Sequence, residues 1–383
     1  MLAAVDTRPE PTAPSCLPVA ALPGTPRLDL DVRAAVTRYR RLAAAMPGTA
    51  VHYAVKANSD PALLAALAGA GCRFDVAGLA EAVATLEAGA DPADLICSNP
   101  VQSREHIAGM DRLGVRLFVV DSHQELQKLA VAAPGASVLC RLVTTGTGSD
   151  WSLSRKYGCS PDQAVAILQA AEDSGLDAAG VSFHVGSQQR DPQAWSEPVA
   201  AAATVFARLR ARGIRPWLLD LGGGFPAHLE GECPPLPAYA AAIEVALRRG
   251  FGAGRPRTLV EPGRAVVADA GVLVASVLAV VHRGETRWVY LDAGVFSGLV
   301  ETLDEAIRYR ISTTADGGAT GPCVLAGPTC DSADVLYQRT PVHLPLDLAE
   351  GDTVRLLSAG AYTSCYATVG FNGFAPMPTR LIG

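Results

Sequence analysis

Eight residue groups in this 383-residue chain could do chemistry, and each falls at or near the end of a short apolar run. In order they are Lys56, Asp75, Asn99, Asp121, Arg141, His184, the Gly222-Gly223-Gly224 turn and Glu261. A lysine amine after an apolar run could form an imine with an aldehyde, because desolvation would lower its pKa and free the nucleophile. Three successive glycines can turn backbone N–H groups toward an anion. Glu261-Pro262-Gly263-Arg264 adds a carboxylate, a stiff turn and a guanidinium suited to phosphate, and His184-Val185-Gly186-Ser187 adds a flat ring and a hydroxyl. Together these groups suit a phosphate-bearing aldehyde that needs an imine-forming lysine, an anion cradle and a carboxylate opposite a ring nitrogen. Plain structure competes at each position: polar loops put acids and amides such as Asp121 and Asn99 at strand ends, and Pro-Gly turns carry solvent ion pairs.

The positioning elements follow from the apolar pattern. Runs at Val51–Val55, Cys72–Ala77, Leu95–Ser98, Arg116–Val120, Ser137–Val143, Val181–Val185, Trp217–Leu221 and Arg257–Val260 alternate with stretches of helical spacing. Those stretches include Pro61–Ala70, Leu79–Ala88, His123–Ala132 and Pro161–Ala171. Eight strand–helix repeats predict an α/β fold, a (β/α)8 barrel whose chemistry gathers at the C-terminal mouth of the strands. A doubly wound open sheet is the alternative, but its first turn would carry glycines where Lys56-Ala57-Asn58 stands. Past residue 265, Val-rich runs (Val272–Val281, Trp288–Leu291, Val324–Ala326, Val354–Ser358) predict a second, mostly β domain. The expected division is an arm and strand over 1–30 that joins the β domain, the barrel over 31–265, and the β domain over 266–383.

Composition narrows the class. Net charge is −6 and the basic clusters, Arg38–Arg41 and Arg208–Arg215, are short, so no nucleic-acid footprint is expected. The longest apolar run, Ala270–Val281, is too short to cross a bilayer and reads as a buried strand. No secretory signal opens the sequence, and its first 25 residues, rich in Pro and Ala, read as a loose arm. Nine scattered cysteines without CxxC spacing suggest neither zinc nor a disulfide framework, which fits a reducing cytoplasm.

Six stretches in order carry a family resemblance. They are Tyr53–Asn58, Phe183–Ser187, Gly222–Pro226, Glu261–Arg264, Gly327-Pro328-Thr329-Cys330-Asp331 and Gly360-Ala361-Tyr362-Thr363. They resemble the fold-type III ornithine/lysine decarboxylases that use pyridoxal 5'-phosphate. Trp151–Gly158 and Ser187–Asp191 look like the bacterial ornithine decarboxylase-like branch. The resemblance implies that Lys56 holds the cofactor as a Schiff base, Glu261 meets the pyridine nitrogen, and His184 stacks on the ring. Ser187, Gly223, Gly224, Gly263, Arg264 and Tyr362 would surround the phosphate, with Asp75, Glu81 and Arg141 lining the pocket. Cys330 would protonate the carbanion and Asp331 would bind the distal amine, both delivered from the partner of a homodimer with shared sites. Asp334 and Glu301 are further acids for the substrate, the latter from a segment, Phe296–Glu305, that looks like the family's specificity helix.

The expected reaction is decarboxylation of a basic amino acid, ornithine first, then lysine or a specialised natural-product substrate, as in polyamine biosynthesis. Diaminopimelate decarboxylases carry Cys-Glu where this chain has Cys330-Asp331. An alanine-racemase-like enzyme would need a tyrosine base facing Lys56, and the inactive antizyme-binding homologues lose cofactor-site residues that are present here.

Overall fold

The structure, a computed structural model, describes residues 24–151 and 156–382. Residues 1–23 of the expected arm and the Ser152-Leu153-Ser154-Arg155 part of the bacterial-type motif lie outside these residues.

Eight parallel strands close into a barrel: Thr49–Ala54, Arg73–Val76, Leu95–Cys97, Leu117–Val120, Ser137–Arg141, Asp177–Ser182, Leu218–Asp220 and Arg257–Val260. The eighth pairs with the first, Leu259 opposite Ala50, so no sheet edge is left open. Ile96, Val119, Leu139, Ala179, Leu218 and Leu259, one from each of six strands, fill the interior as a packed layer. A larger core lies between the strands and the surrounding helices, where Tyr53, Phe74, Phe118 and Phe183 are buried. Helix starts follow local capping chemistry. Asp60 accepts from the Ala62 and Leu63 amides ahead of Pro61–Gly69, and Ser160 with Gln163 forms a reciprocal capping box ahead of Pro161–Asp173.

The sixth strand departs from expectation. It runs Asp177–Ser182 and ends before His184, whereas the apolar pattern predicted Val181–Val185. Asp-Ala-Ala-Gly is a poor strand former by propensity, so the pattern hid its first half. Gly180 makes it possible: a Cβ there would lie 1.9 Å from the Leu218 carbonyl oxygen. The freed segment instead forms Ser187–Gln189, antiparallel to Ser149–Trp151.

A mostly β layer packs beside the barrel. Its longest strand, Gly271–Arg283, pairs antiparallel with Arg27–Asp31, Thr286–Leu291 and Thr353–Leu357. This strand is buried only in its first half; Leu278 is already exposed. Leu273, Val277, Leu325 and Leu356 anchor a separate core. The layer touches the barrel mouth through Gly360–Cys365: the Tyr362 amide donates to the Ala57 carbonyl (2.8 Å) and Asn58 Nδ2 to the Gly360 carbonyl (2.9 Å). No described helix is long and apolar enough to cross a membrane.

Candidate active site

Lys56 follows the first barrel strand on a single 3-10 turn, Val55–Ala57. Its Nζ donates to Asp75 Oδ2 at 2.7 Å, from the end of the second strand. The Asp75 side chain is fully buried, and its other oxygen accepts the Ser98 hydroxyl. Sequence reasoning expected desolvation to lower the Lys56 pKa, and the structure corrects this. Burial does oppose the charge, but Asp75, Glu261 and Tyr362 outweigh it and hold the ammonium above its ordinary value. Glu81 braces the same wall: Oε2 accepts from the Ala77 amide at 2.6 Å, and burial raises its pKa.

A cavity of about 370 Å³ opens at the C-terminal mouth, with Lys56, Asn99, Arg141, Tyr157, His184 and Glu261 in its wall. His184 Nδ1 accepts from the Gly186 amide (3.0 Å), which leaves Nε2 as the protonated nitrogen of a neutral ring. Burial, then Arg141 and Lys56, keep that ring far below its ordinary pKa. The Arg141 guanidinium stands 5.5 Å over the Tyr157 ring. Asp121 instead accepts from the Gly158 amide at 3.0 Å, which tethers the loop that carries Tyr157.

Glu261 is 7% exposed, and its buried Oε1 has no donor among the described residues. The Asp220 carboxyl of the seventh strand is buried as well, held by the Gly222 amide at 2.8 Å, and burial raises the pKa of both acids. Asp220 escaped sequence reasoning because the glycine turn claimed that strand's end, although the signal was present: an acid inside the run Trp217–Leu221. At Gly223 a Cβ would lie 2.6 Å from the Glu261 carbonyl oxygen and 2.9 Å from His184 Nε2, so only glycine fits between them.

Arg264, 2% exposed, marks the other end of the site. Its Nε and Nη2 reach Ser187 Oγ at 3.3 and 3.1 Å, its guanidinium lies 4.9 Å over the Tyr362 ring, and its Nη1 is buried without an acceptor. Gly263 lies against Tyr362, since a Cβ would stand 3.0 Å from that hydroxyl, and Gly224 (φ +101°) turns beside Gly186. An anion belongs beside a guanidinium with an unused donor and glycines that leave room for it.

The structure leaves four expected residues outside this constellation. Cys330 is exposed and outside the Lys56 cavity wall; its amide donates to Asn372 Oδ1 (3.1 Å), 3.5 Å from Sγ. Asp331 is exposed too, and it accepts the Ala333 amide. Asp334 is turned inward: it is 2% exposed and accepts from the Val295 and Thr329 amides and the Thr329 hydroxyl. Glu301 is likewise turned inward, with both oxygens on Arg264 Nη2 at 2.7 and 2.9 Å. The expected specificity helix is broken, with Leu303 extended and Asp304 at φ +54°. Asp304 pairs with Arg339 at the surface.

The family model described as pyridoxal-dependent decarboxylase, pyridoxal binding domain, matches residues 32–268. The chain belongs to this family, and it is a pyridoxal-phosphate-dependent decarboxylase of basic amino acids, a lyase. Within the family it is similar to the lysine/ornithine decarboxylase of Selenomonas ruminantium, 35% identical over 93% of this chain and 89% of that one. The solved lysine/ornithine decarboxylase of Vibrio vulnificus complexed with cadaverine is 34% identical, covers 94% of each chain and superposes with a TM-score of 0.85. The ornithine decarboxylase of Schizosaccharomyces pombe is 32% identical over 90% of this chain and 80% of its own. The residues present fit pyridoxal phosphate: a paired lysine and a carboxylate in the cavity wall, and a buried guanidinium nitrogen, Arg264 Nη1, with no acceptor among the described residues.

Proposed function

We propose that the chain decarboxylates L-ornithine to putrescine, with L-lysine as second substrate, in a cytoplasmic homodimer with shared sites. The observation that carries the reading is the convergence of Lys56, His184, Arg141 and Glu261 on one barrel-mouth cavity. When bound, pyridoxal phosphate supplies a conjugated pyridine that takes up the electron pair left as carbon dioxide departs.

The chain's own groups divide the remaining work. Lys56 would hold the cofactor through Nζ, and Asp75, 2.7 Å away, orients that nitrogen. Glu261 would face the ring nitrogen and keep it protonated, and His184, neutral and fixed by Gly186, would cover one ring face. Arg264, Ser187, Gly223, Gly224, Gly263 and Tyr362 would hold the phosphate, and Arg141 lies in the wall of the Lys56 cavity. Cys330 and Asp331 act from the partner subunit, the thiol as proton donor and the carboxylate on the substrate's distal ammonium. Their exposure, away from their own chain's Lys56 cavity, supports this division. The free, scattered cysteines suit a reducing cytoplasm.

Carbon dioxide release from ornithine, lysine, arginine and diaminopimelate tests the reading, with kcat/KM expected to fall in roughly that order from ornithine. Protein loaded with pyridoxal phosphate that releases carbon dioxide from none of them would overturn it.

A further inference from the structure

Two thiols with no part in the decarboxylation lie against each other behind the cavity wall. Cys140 Sγ, on the fifth barrel strand, stands 3.5 Å from Cys159 Sγ, and the two residues are 0% and 6% exposed. Backbone bonds fix the pair. The Cys159 amide donates to the Arg141 carbonyl and the Val143 amide to the Cys159 carbonyl, each at 3.0 Å, so Leu142 and Cys159 face each other as in a parallel ladder. Gly158 permits this approach, since a Cβ there, at φ +99°, would lie 2.7 Å from the Val143 backbone. Arg141, next to Cys140, and Tyr157, two residues before Cys159, both stand in the wall of the Lys56 cavity. Reaching a disulfide length of about 2.05 Å takes a movement of roughly 0.7 Å by each sulfur, within the range of side-chain rotation.

We propose that Cys140 and Cys159 are a dithiol oxidation site, which hydrogen peroxide converts to a reversible internal disulfide that fastens the Tyr157 segment of the cavity wall to the fifth strand. The two thiols are not equivalent. Cys159 Sγ, the less buried, lies 3.4 Å from the Arg141 carbonyl oxygen, so Cys159 donates there while Cys140 donates to Cys159. That bond from Cys140 holds the Cys159 thiol below its ordinary pKa, against burial and the Asp121 carboxylate, and holds the Cys140 thiol above its own. Cys159 is therefore the sulfur that attacks. Its thiolate takes one peroxide oxygen as the O–O bond breaks, and the departing hydroxide leaves as water with the proton the thiol released. Cys140 then attacks the Cys159 sulfenic acid. The S–S bond forms, the S–O bond breaks, and hydroxide leaves with the Cys140 proton as a second water. The two sulfurs lose two electrons and the peroxide gains them. In a reducing compartment such a disulfide is transient, because a dithiol reductant reverses it. Neither the substrate nor the roles of Glu261 and Cys330 enter this chemistry.

Peptide mass mapping of peroxide-treated protein tests the site. The protein, loaded with pyridoxal phosphate, is exposed to hydrogen peroxide, quenched with catalase, unfolded in iodoacetamide and digested. The mass of the cross-linked Cys140 and Cys159 peptides should appear, and should vanish after dithiothreitol. In Cys140→Ala the Cys159 sulfenic acid should persist and take up dimedone, whereas in Cys159→Ala the Cys140 thiol should remain free for alkylation. A disulfide that the fold accepts closes a loop of about 20 residues. The urea midpoint of the oxidised wild type should then stand on the order of 1 M above that of the same sample after dithiothreitol. Dithiothreitol should change the midpoint of peroxide-treated Cys159→Ala far less. If a variant does not fold, the wild-type map and midpoints decide alone. Three results overturn the proposal: both thiols still free at a peroxide dose that oxidises the exposed Cys330, a disulfide from either thiol to another cysteine, or a mapped Cys140–Cys159 disulfide that does not raise the midpoint.

Discussion

Replacing Glu301 with glutamine separates two roles for that acid. Sequence resemblance offered it to the substrate, whereas the fold turns it onto Arg264. Both side chains are at most 4% exposed, and one nitrogen, Nη2, serves both carboxylate oxygens at 2.7 and 2.9 Å. Solvent therefore screens this pair little, unlike the surface pair Arg339–Asp304, whose side chains are 68% and 92% exposed. Removing one member of such a buried pair leaves the other charged and unmatched, at about 3–5 kcal/mol. Glutamine keeps one acceptor oxygen, so the lower value, about 3 kcal/mol, applies. With a urea slope of about 3 kcal/mol/M for a chain of this size, the unfolding midpoint should fall by about 1 M. Tryptophan fluorescence in a urea series measures the midpoint, and carbon dioxide release from ornithine measures KM on the same preparation. An unchanged midpoint with a raised KM would refute the structural role and return Glu301 to the substrate.

Further outcomes follow from other parts of the site and barrel. His52 is buried with Nδ1 unpartnered, and burial lowers its pKa from 6.5 to about 4. The unfolded chain thus binds a proton between those values that the folded one refuses, so stability falls with pH across pH 6.5 to 4. The full loss is about 3 kcal/mol. Urea midpoints at pH 7 and pH 5 should differ measurably in wild type and much less in His52→Gln; an equal drop in both removes His52 as the cause. For the shared-site dimer, Lys56→Ala and Cys330→Ala should each be nearly inactive alone. An equal mixture, allowed to exchange subunits, should recover roughly a quarter of wild-type activity, because half the dimers carry one intact site. No recovery on mixing, with exchange verified by mass, would place lysine and thiol in the same subunit's site.

The barrel was legible because strand and helix periods alternate cleanly, and because each strand ends in a polar residue that marks the mouth. The sixth strand was read late, since Gly180 and the alanines before it carry no strand propensity and sit there for close packing against Leu218. Site residues that act through a sharp local turn, Lys56, His184 and the glycine triplet, stood out as motifs. Asp220 did not, because a buried acid inside an apolar run acquires meaning only when the barrel closes around it. The Lys56 pKa was misjudged for the same reason: desolvation is visible in a sequence, but Asp75 at 2.7 Å is a tertiary fact. Asp334 and Glu301 show the converse, since acids that a motif offers to a ligand are held by Thr329, Val295 and Arg264 once the chain folds.

Borohydride reduction of the pyridoxal-phosphate-loaded protein, followed by peptide mass mapping, tests the central assignment most directly. The pyridoxyl mass should fall on the peptide that contains Lys56, and the visible absorption should be absent from Lys56→Ala. The label on another lysine, or a colourless protein that takes up no cofactor, would contradict the account.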